Sequence, residues 1–333
     1  MTKIVKNNLP RWRGFNLLYF YHPGADYIPL KDDFKWIADW GFNFARIPIN
    51  YLVWTKEDDM FQVKETVLKQ IDKTVEMSRK FGIHICLNFH YAPGYSVNHP
   101  TQKSFNLWKD KKPLDAFCYH WEIFAKRYKG IPSSQLSFNL VNEPRTPTKE
   151  LMTRADHKRV MQRATETIRR VDSKRLIIAD GLSCGNDPSP ELADLKIAQS
   201  CRGYLPMGIS HYKARWAGGD KFPKPVWPGA DHYGETWDRH RLKQHYEDWA
   251  KLFEKGIGVH CGECGCFTKT PHKIFLAWFE DVLEILKEKQ IGYALWNFRG
   301  AFGVLDSWRD DVTYKDWHGH MLDEKLLKLL QKY

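Results

Sequence analysis

The chain lacks several features that would assign it elsewhere. No run of about eighteen uncharged apolar residues occurs in its 333 residues, so no membrane-spanning helix is expected. The opening MTKIVKNNLPRWRG has no apolar leader core. A soluble protein is expected, either cytoplasmic or secreted with its leader removed. Charge is not blocked either. The 51 Lys and Arg exceed the 40 Asp and Glu by enough to give +11, but the basic residues are scattered, without the long run of a nucleic-acid binder. Neither nucleic acid nor a membrane is expected as a partner. Seven cysteines, an odd number across a long chain, do not read as a disulfide framework. There is no Ser/Gly linker, no internal repeat, and no G-x-G-x-x-G after the first strand-like run.

What is present is alternation. Strand-like runs occupy 14–20, 42–49, 83–90, 135–143, 175–181, 207–212, 257–263 and 291–298. Segments of helical period lie between them. Val67, Leu68, Ile71 and Val75 form one apolar face, Val160, Met161, Ala164, Ile168 and Val171 another, and Phe275, Trp278, Phe279, Val282 and Leu286 a third. Eight βα units in a chain 43% hydrophobic predict an α/β fold, one (β/α)8 TIM barrel spanning residues 1–333 as a single catalytic domain.

Barrel chemistry sits at the C-terminal ends of the strands. Here the runs end in Arg46, His90, Asn142 and Glu143, His211 and Tyr212, Glu263, and Trp296 and Asn297. Period-two alternation places Ser137, Asn139, Val141 and Glu143 on one face, and Ile257, Val259, Cys261 and Glu263 on one face. Two glutamates would then meet at one mouth. Glycoside hydrolysis needs such a pair: one neutral acid for the leaving oxygen, one anion to attack or to activate water.

These residues carry a resemblance. FNLVNEP resembles the fourth-strand Asn-Glu-Pro signature of glycoside hydrolase family 5, the cellulase family of the clan A barrels. Arg46 in FARIPI, His90 in LNFHYAPGY, His211 beside Tyr212, Glu263, and Trp296 in LWNF follow in the family's order. The resemblance implies a retaining β-glycosidase acting on a β-linked oligo- or polysaccharide without cofactor or metal, first of all an endo-β-1,4-glucanase. Mannan, xylan, mixed-linkage glucan and short β-glucosides stand as alternative substrates. It implies Glu143 as acid/base and Glu263 as nucleophile, their carboxyls about 5 to 5.5 Å apart. Asn142 would hold the sugar 2-hydroxyl, Arg46 would orient Glu263 in its charged form, His90 and His211 would hydrogen-bond around the glutamates, and Trp296 would lie under the sugar. The family usually has one residue between the sixth-strand histidine and tyrosine. With His211 and Tyr212 adjacent, a regular strand would turn only one of them to the mouth. Tyr91, Tyr95, Trp108, Trp216 and Trp227 fall in expected loops, as sugar-stacking platforms or as plugs of the barrel end.

Three rival readings remain at this stage. Cys261, Cys264 and Cys266, with His260 or His272, suggest zinc, though no second C-x-x-C completes a ligand set. GLSCG at 181–185 fits the esterase pattern G-x-S-x-G, but NDPSP follows it where a helix is required. A non-catalytic carbohydrate-binding barrel would bind sugar and release no reducing ends.

Overall fold

Eight short strands run parallel, each hydrogen-bonded to the next and the last to the first. They are β1 Arg13–Asn16, β2 Phe44–Asn50, β3 His84–Ala92, β4 Leu136–Asn139, β5 Leu176–Asp180, β6 Ala198–Gly203, β7 Val259–Cys264 and β8 Gly292–Leu295. The β2–β3 and β8–β1 pairings close the ring, so no barrel edge is left open. The computed structural model describes residues 6–24, 28–56, 59–101 and 105–333.

Among the described residues, seven helices of nine residues or more pack outside: α1 Lys31–Asp39, α2 Glu65–Lys80, α3 Lys111–Arg127, α4 Arg154–Val171, α5 Arg239–Ala250, α6 His272–Glu288 and α7 Glu324–Lys332. The expected apolar faces of α2, α4 and α6 are the buried ones, Val171 alone being only partly covered. A Thr153–Asp156 capping box starts α4 by satisfying two end groups reciprocally. Between β5 and β6 the crossover holds only a turn at Leu182–Gly185 and a six-residue 3₁₀ helix, Pro190–Leu195.

The sixth strand lies away from its expected place. The strand is 198–203, whereas Met207–Ser210, expected to be extended, forms a single helical turn after Pro206. AQSCRG is too polar to read as a strand from its apolar content. Its alternate residues Ser200 and Arg202 face a polar barrel interior.

The seventh strand also departs from simple alternation. Cys261 pairs with Cys201 and Glu263 with Arg202, so one extra residue, Gly262, is inserted as a bulge. Cys261 consequently joins the core outside the barrel, and Glu263 turns inward; the two do not share a face as regular alternation predicts. Glycine at 262 leaves its polar neighbours in place: a Cβ there would stand 2.5 Å from Ser200 Oγ and 3.2 Å from an Arg202 nitrogen, so one of these side chains would have to shift.

The interior is layered. At the N-terminal end Trp12 stacks on His84 at 3.7 Å between ring centres, and Phe44 covers His260 at 4.4 Å. The apolar side chains of Cys86, Ile178, Ala198 and Ala294 complete this plug. Toward the C-terminal end the lining changes to Asn16, Arg46, Asn139, Asp180, Ser200 and Arg202, all buried.

Burial pushes His84 down to about 4 and His260 to about 3, against 6.5 in the unfolded chain, so both are neutral in the fold. The unfolded chain therefore takes up more protons below pH 6.5. Stability from this plug is full above pH 6.5 and falls as pH drops toward 4, by about 1.4 kcal/mol per pH unit for each histidine. Thermal melting followed across that window should show a declining midpoint; a midpoint constant from pH 6.5 to 4 contradicts this account.

Candidate active site

Arg46 at the middle of β2 organises the mouth. Its guanidinium is 1% exposed and donates to Glu263 Oε1 at 2.6 Å, Asn142 Oδ1 at 2.8 Å, Asn16 Oδ1 at 3.0 Å and Asn139 Oδ1 at 3.1 Å. A second guanidinium, Arg202 on β6, donates to Glu143 Oε1 at 2.7 Å and to Asn142 Oδ1 at 2.8 Å. It also pairs with Asp180 and lies 3.4 Å from Glu263 Oε1. One guanidinium thus touches both glutamates. Charged donors and acceptors in so dry a setting are stable only because each is paired.

The two glutamates sit in different settings. Glu263 accepts from Arg46, from Arg202 and, at 3.1 Å on Oε2, from the Tyr204 hydroxyl. Glu143 accepts only from Arg202 among the described side chains, and its own side chain is 13% exposed against 4% for Glu263. Burial, followed by the neighbouring Glu263 charge, pushes Glu143 up to about 7.

Asn142 and Glu143 are adjacent and both reach the site. The strand ends at Asn139, and Glu143 takes the left-handed conformation, φ 48°. This is uncommon for a residue with a side chain and costs about 1 kcal/mol or more. Two bonds hold it there. The Glu143 N–H donates to Asp180 Oδ2 at 2.9 Å, and its carbonyl accepts from the Tyr95 hydroxyl at 2.7 Å.

The orientation of the Asn142 amide follows from its partners. Because Oδ1 accepts from two arginines, the Nδ2 hydrogens face the other way, one toward His90 Nε2 at 3.4 Å. Burial and the two arginine charges hold His90 well below the usual histidine range, so it is neutral. Accepting at Nε2 places its proton on Nδ1, which faces Glu263 Oε1 at 3.9 Å. The His90 ring lies against the Trp296 indole at 5.3 Å, with Tyr21 edge-on to both.

The expected sixth-strand pair needs correction. Tyr204, not Tyr212, bonds Glu263; Tyr212 lies under Lys213, in the loop beyond the short 207–210 turn. Arg202 and Tyr204 are spaced by one residue, the interval expected of the family's histidine and tyrosine, with arginine where histidine is usual. His211 packs its ring edge on Tyr204 at 5.0 Å and bonds Ser210 Oγ.

The aromatic candidates divide. Tyr95 and Trp108 are fully buried, packed on each other at 5.0 Å, and offer no face to a ligand; they plug the barrel end. Trp227 is tied to Asp281 of α6 by its indole N–H, on the outer layer. Tyr91 stays at the mouth beside Tyr21 and His90, and Trp216 is 62% exposed against Phe267. Asn297 is buried below the rim, next to Gly300. The thiols belong to packing. Cys261, Cys264 and Cys266 are buried and point to the carbonyls of Glu263, Ala294 and Ile209 at 3.3 to 3.4 Å. Among the described residues, no three His, Cys, Asp or Glu are arranged to hold a metal ion. Asn16, Asp180, Arg202 and Tyr204 were not foreseen. Asp180 ends the fifth run and was open to the same strand-end test as His90, whereas Arg202 and Tyr204 were hidden by the misplaced sixth strand.

The family model for cellulase, glycosyl hydrolase family 5, matches residues 4–301. Endoglucanase C of Acetivibrio thermocellus is 27% identical over 294 residues, covering 81% of this chain and 83% of that protein. Cellodextrinase A of Ruminococcus flavefaciens is 27% identical over 269 residues, covering 78% and 76%. A crystal structure described as a glycoside hydrolase is 41% identical, with TM-score 0.92 over 97% of this chain and 99% of that one. The fold is shared with Thermotoga maritima Cel5A in complex with mannotriose, at 21% identity and TM-score 0.76 over 96% of this chain and 97% of that one. With the family's model spanning nearly the whole barrel, the chain belongs to glycosyl hydrolase family 5 and is a glycoside hydrolase.

Proposed function

We propose that this hydrolase cuts β-1,4-glucans internally with retention of configuration, Glu143 serving as general acid/base and Glu263 as nucleophile. The observation that carries the reading is the asymmetry of the two carboxyls. Glu263 faces three donors, which orient both its oxygens as acceptors. Glu143, pushed up to about 7, retains a proton near neutrality that it can give to a leaving oxygen. In that scheme a Glu263 oxygen attacks the anomeric carbon while Glu143 protonates the departing glycosidic oxygen. The glycosyl ester on Glu263 is then opened by water, whose proton goes to the now ionised Glu143, restoring both groups. Asn142 Nδ2 is the donor offered to the sugar 2-hydroxyl, and the half-buried Trp296 indole supplies an apolar surface for the pyranose.

The glucan assignment is supported by relatives named as an endoglucanase and a cellodextrinase, each covering about four-fifths of this chain. Release of reducing ends from a panel of cellulose derivatives, mixed-linkage glucan, mannan and xylan, with product lengths measured, checks it. Carboxymethylcellulose or mixed-linkage glucan should be cleaved to mixed oligomers; cleavage confined to mannan or xylan contradicts the assignment.

Glu143→Gln should lower kcat on polysaccharide by about 10²- to 10⁴-fold, and Glu263→Gln at least as much, with both variants still folded. Full activity in either variant rejects its role. The rate should decline as pH rises through about 7, where Glu143 loses its proton; a rate that still climbs above pH 8 is inconsistent with Glu143 as the acid. Tyr204→Phe removes a hydrogen bond to a charged group, worth about 1.5 to 3 kcal/mol, and should reduce kcat some ten- to hundredfold. Tyr212→Phe should leave kcat unchanged, and the reverse order of effects would restore Tyr212 to the site.

A further inference from the structure

Asp180 and Arg202 are in the heart of the site, yet nothing in the proposed reaction gives either of them a step. Both side chains are fully buried. Asp180 accepts from the Glu143 N–H at 2.9 Å, from Asn139 Nδ2 at 2.9 Å and from Arg202. Arg202 donates to Glu143, Asn142, Asp180 and Ser200 Oγ, so a single guanidinium spans strand ends on both sides of it.

The buried cluster contains two cations, Arg46 and Arg202, and three carboxyls, Asp180, Glu143 and Glu263. Fully ionised it carries one negative charge in excess; one added proton makes it neutral. A buried net charge is costly, so one carboxyl is driven to hold a proton. Asp180 is enclosed by an amide, a peptide N–H and a guanidinium, all of them donors with no acceptor for a carboxyl hydrogen. Glu263 has three donors. Glu143, with one donor and the most open side chain, is the member left to carry the proton.

We propose that Asp180 and Arg202 form a positioning pair for Glu143, Asp180 fixing its main chain and Arg202 its carboxyl, and that their opposed charges set the pH at which Glu143 releases its proton. This rests on the reading of Glu143 as the acid. The charged groups facing Glu143 are Asp180 on β5, Arg202 on β6 and Glu263 on β7. Cys184, Tyr21, Tyr95 and Tyr204 also face it, and burial keeps them uncharged, pushing the Cys184 thiol up to about 12 and the three tyrosines above their usual range. The pair and Glu263 are therefore the charges nearest Glu143 at neutral pH, with Arg46 behind them, paired to Glu263 at 2.6 Å and 3.8 Å from Asp180.

The two members should consequently have opposite effects. Removing the Asp180 charge leaves Arg202 to favour ionised Glu143; removing the Arg202 charge leaves Asp180 and Glu263 to oppose it. In kcat/KM against pH on an unactivated oligosaccharide, Asp180→Asn should move the basic limb about one unit toward acid. Arg202→Met should move it about one unit toward alkali, and the double variant should bring it back near the wild-type position. A purely structural role would lower kcat in each variant without moving the limb, or move it the same way in both, and either result overturns the proposal. If Arg202→Met does not fold, Asp180→Asn still decides: a basic limb that stays in place or moves toward alkali in that variant overturns the proposal. A Glu143→Ala control on a dinitrophenyl glycoside separates the two readings. If the basic limb persists in that variant, the acid assignment is wrong; if it vanishes there but does not move in the pair variants, only the present inference fails.

Discussion

The mouth of this barrel depends on one constraint: two arginines and three carboxyls are crowded where water has little access, and each must therefore be answered by another. Arg46 alone reaches residues from β1, β4, the segment after β4, and β7. Such a network is stable only when complete, because removing one partner leaves an uncompensated buried charge, a loss of about 3 to 5 kcal/mol. The same completeness fixes geometry. It orients the Asn142 amide, determines which His90 nitrogen carries the proton, and separates the roles of two otherwise identical glutamates.

The fold supplies this constraint in layers. The N-terminal half of the interior is closed by Trp12, Phe44, His84 and His260, which exclude water from below. Small residues above them, Gly262 and Ser200 among them, leave room for the long arginine side chains. Gly262 illustrates how closely backbone and site are joined: as a bulge it turns Glu263 inward, and as a glycine it lets Arg46 and Arg202 pass beside it. Polar lining and apolar plug thus arise from the same parallel strands, with function at their C-terminal ends.

Much of this was legible in the sequence. Strand count, helical faces and the positions of Arg46, His90, Asn142, Glu143, Glu263 and Trp296 follow from alternation and from a resemblance carried by a few short motifs. Three features were hidden, each for a physical reason. The sixth strand, AQSCRG, faces a charged interior and lacks the apolar run by which strands are recognised, while MGISHY imitates one. The bulge at Gly262 breaks the period of two, so the facing of Cys261 could not be read from Glu263. Glu143 reaches the site from a left-handed backbone held by Asp180 and Tyr95, partners 37 and 48 residues away. Buried plugs such as Trp108 and exposed aromatics such as Trp216 look alike in a loop sequence, and only packing distinguishes them.

The central claim is that the carboxylate gripped by Arg46 and Tyr204 is the one that forms a bond to the sugar. Incubation with a 2-deoxy-2-fluoro glycoside bearing an activated leaving group, followed by peptide mass mapping, tests it most directly. The account predicts a single fluoroglycosyl ester on Glu263. A label on Glu143 or on a cysteine, or no label together with inverted configuration of the first product, would contradict it.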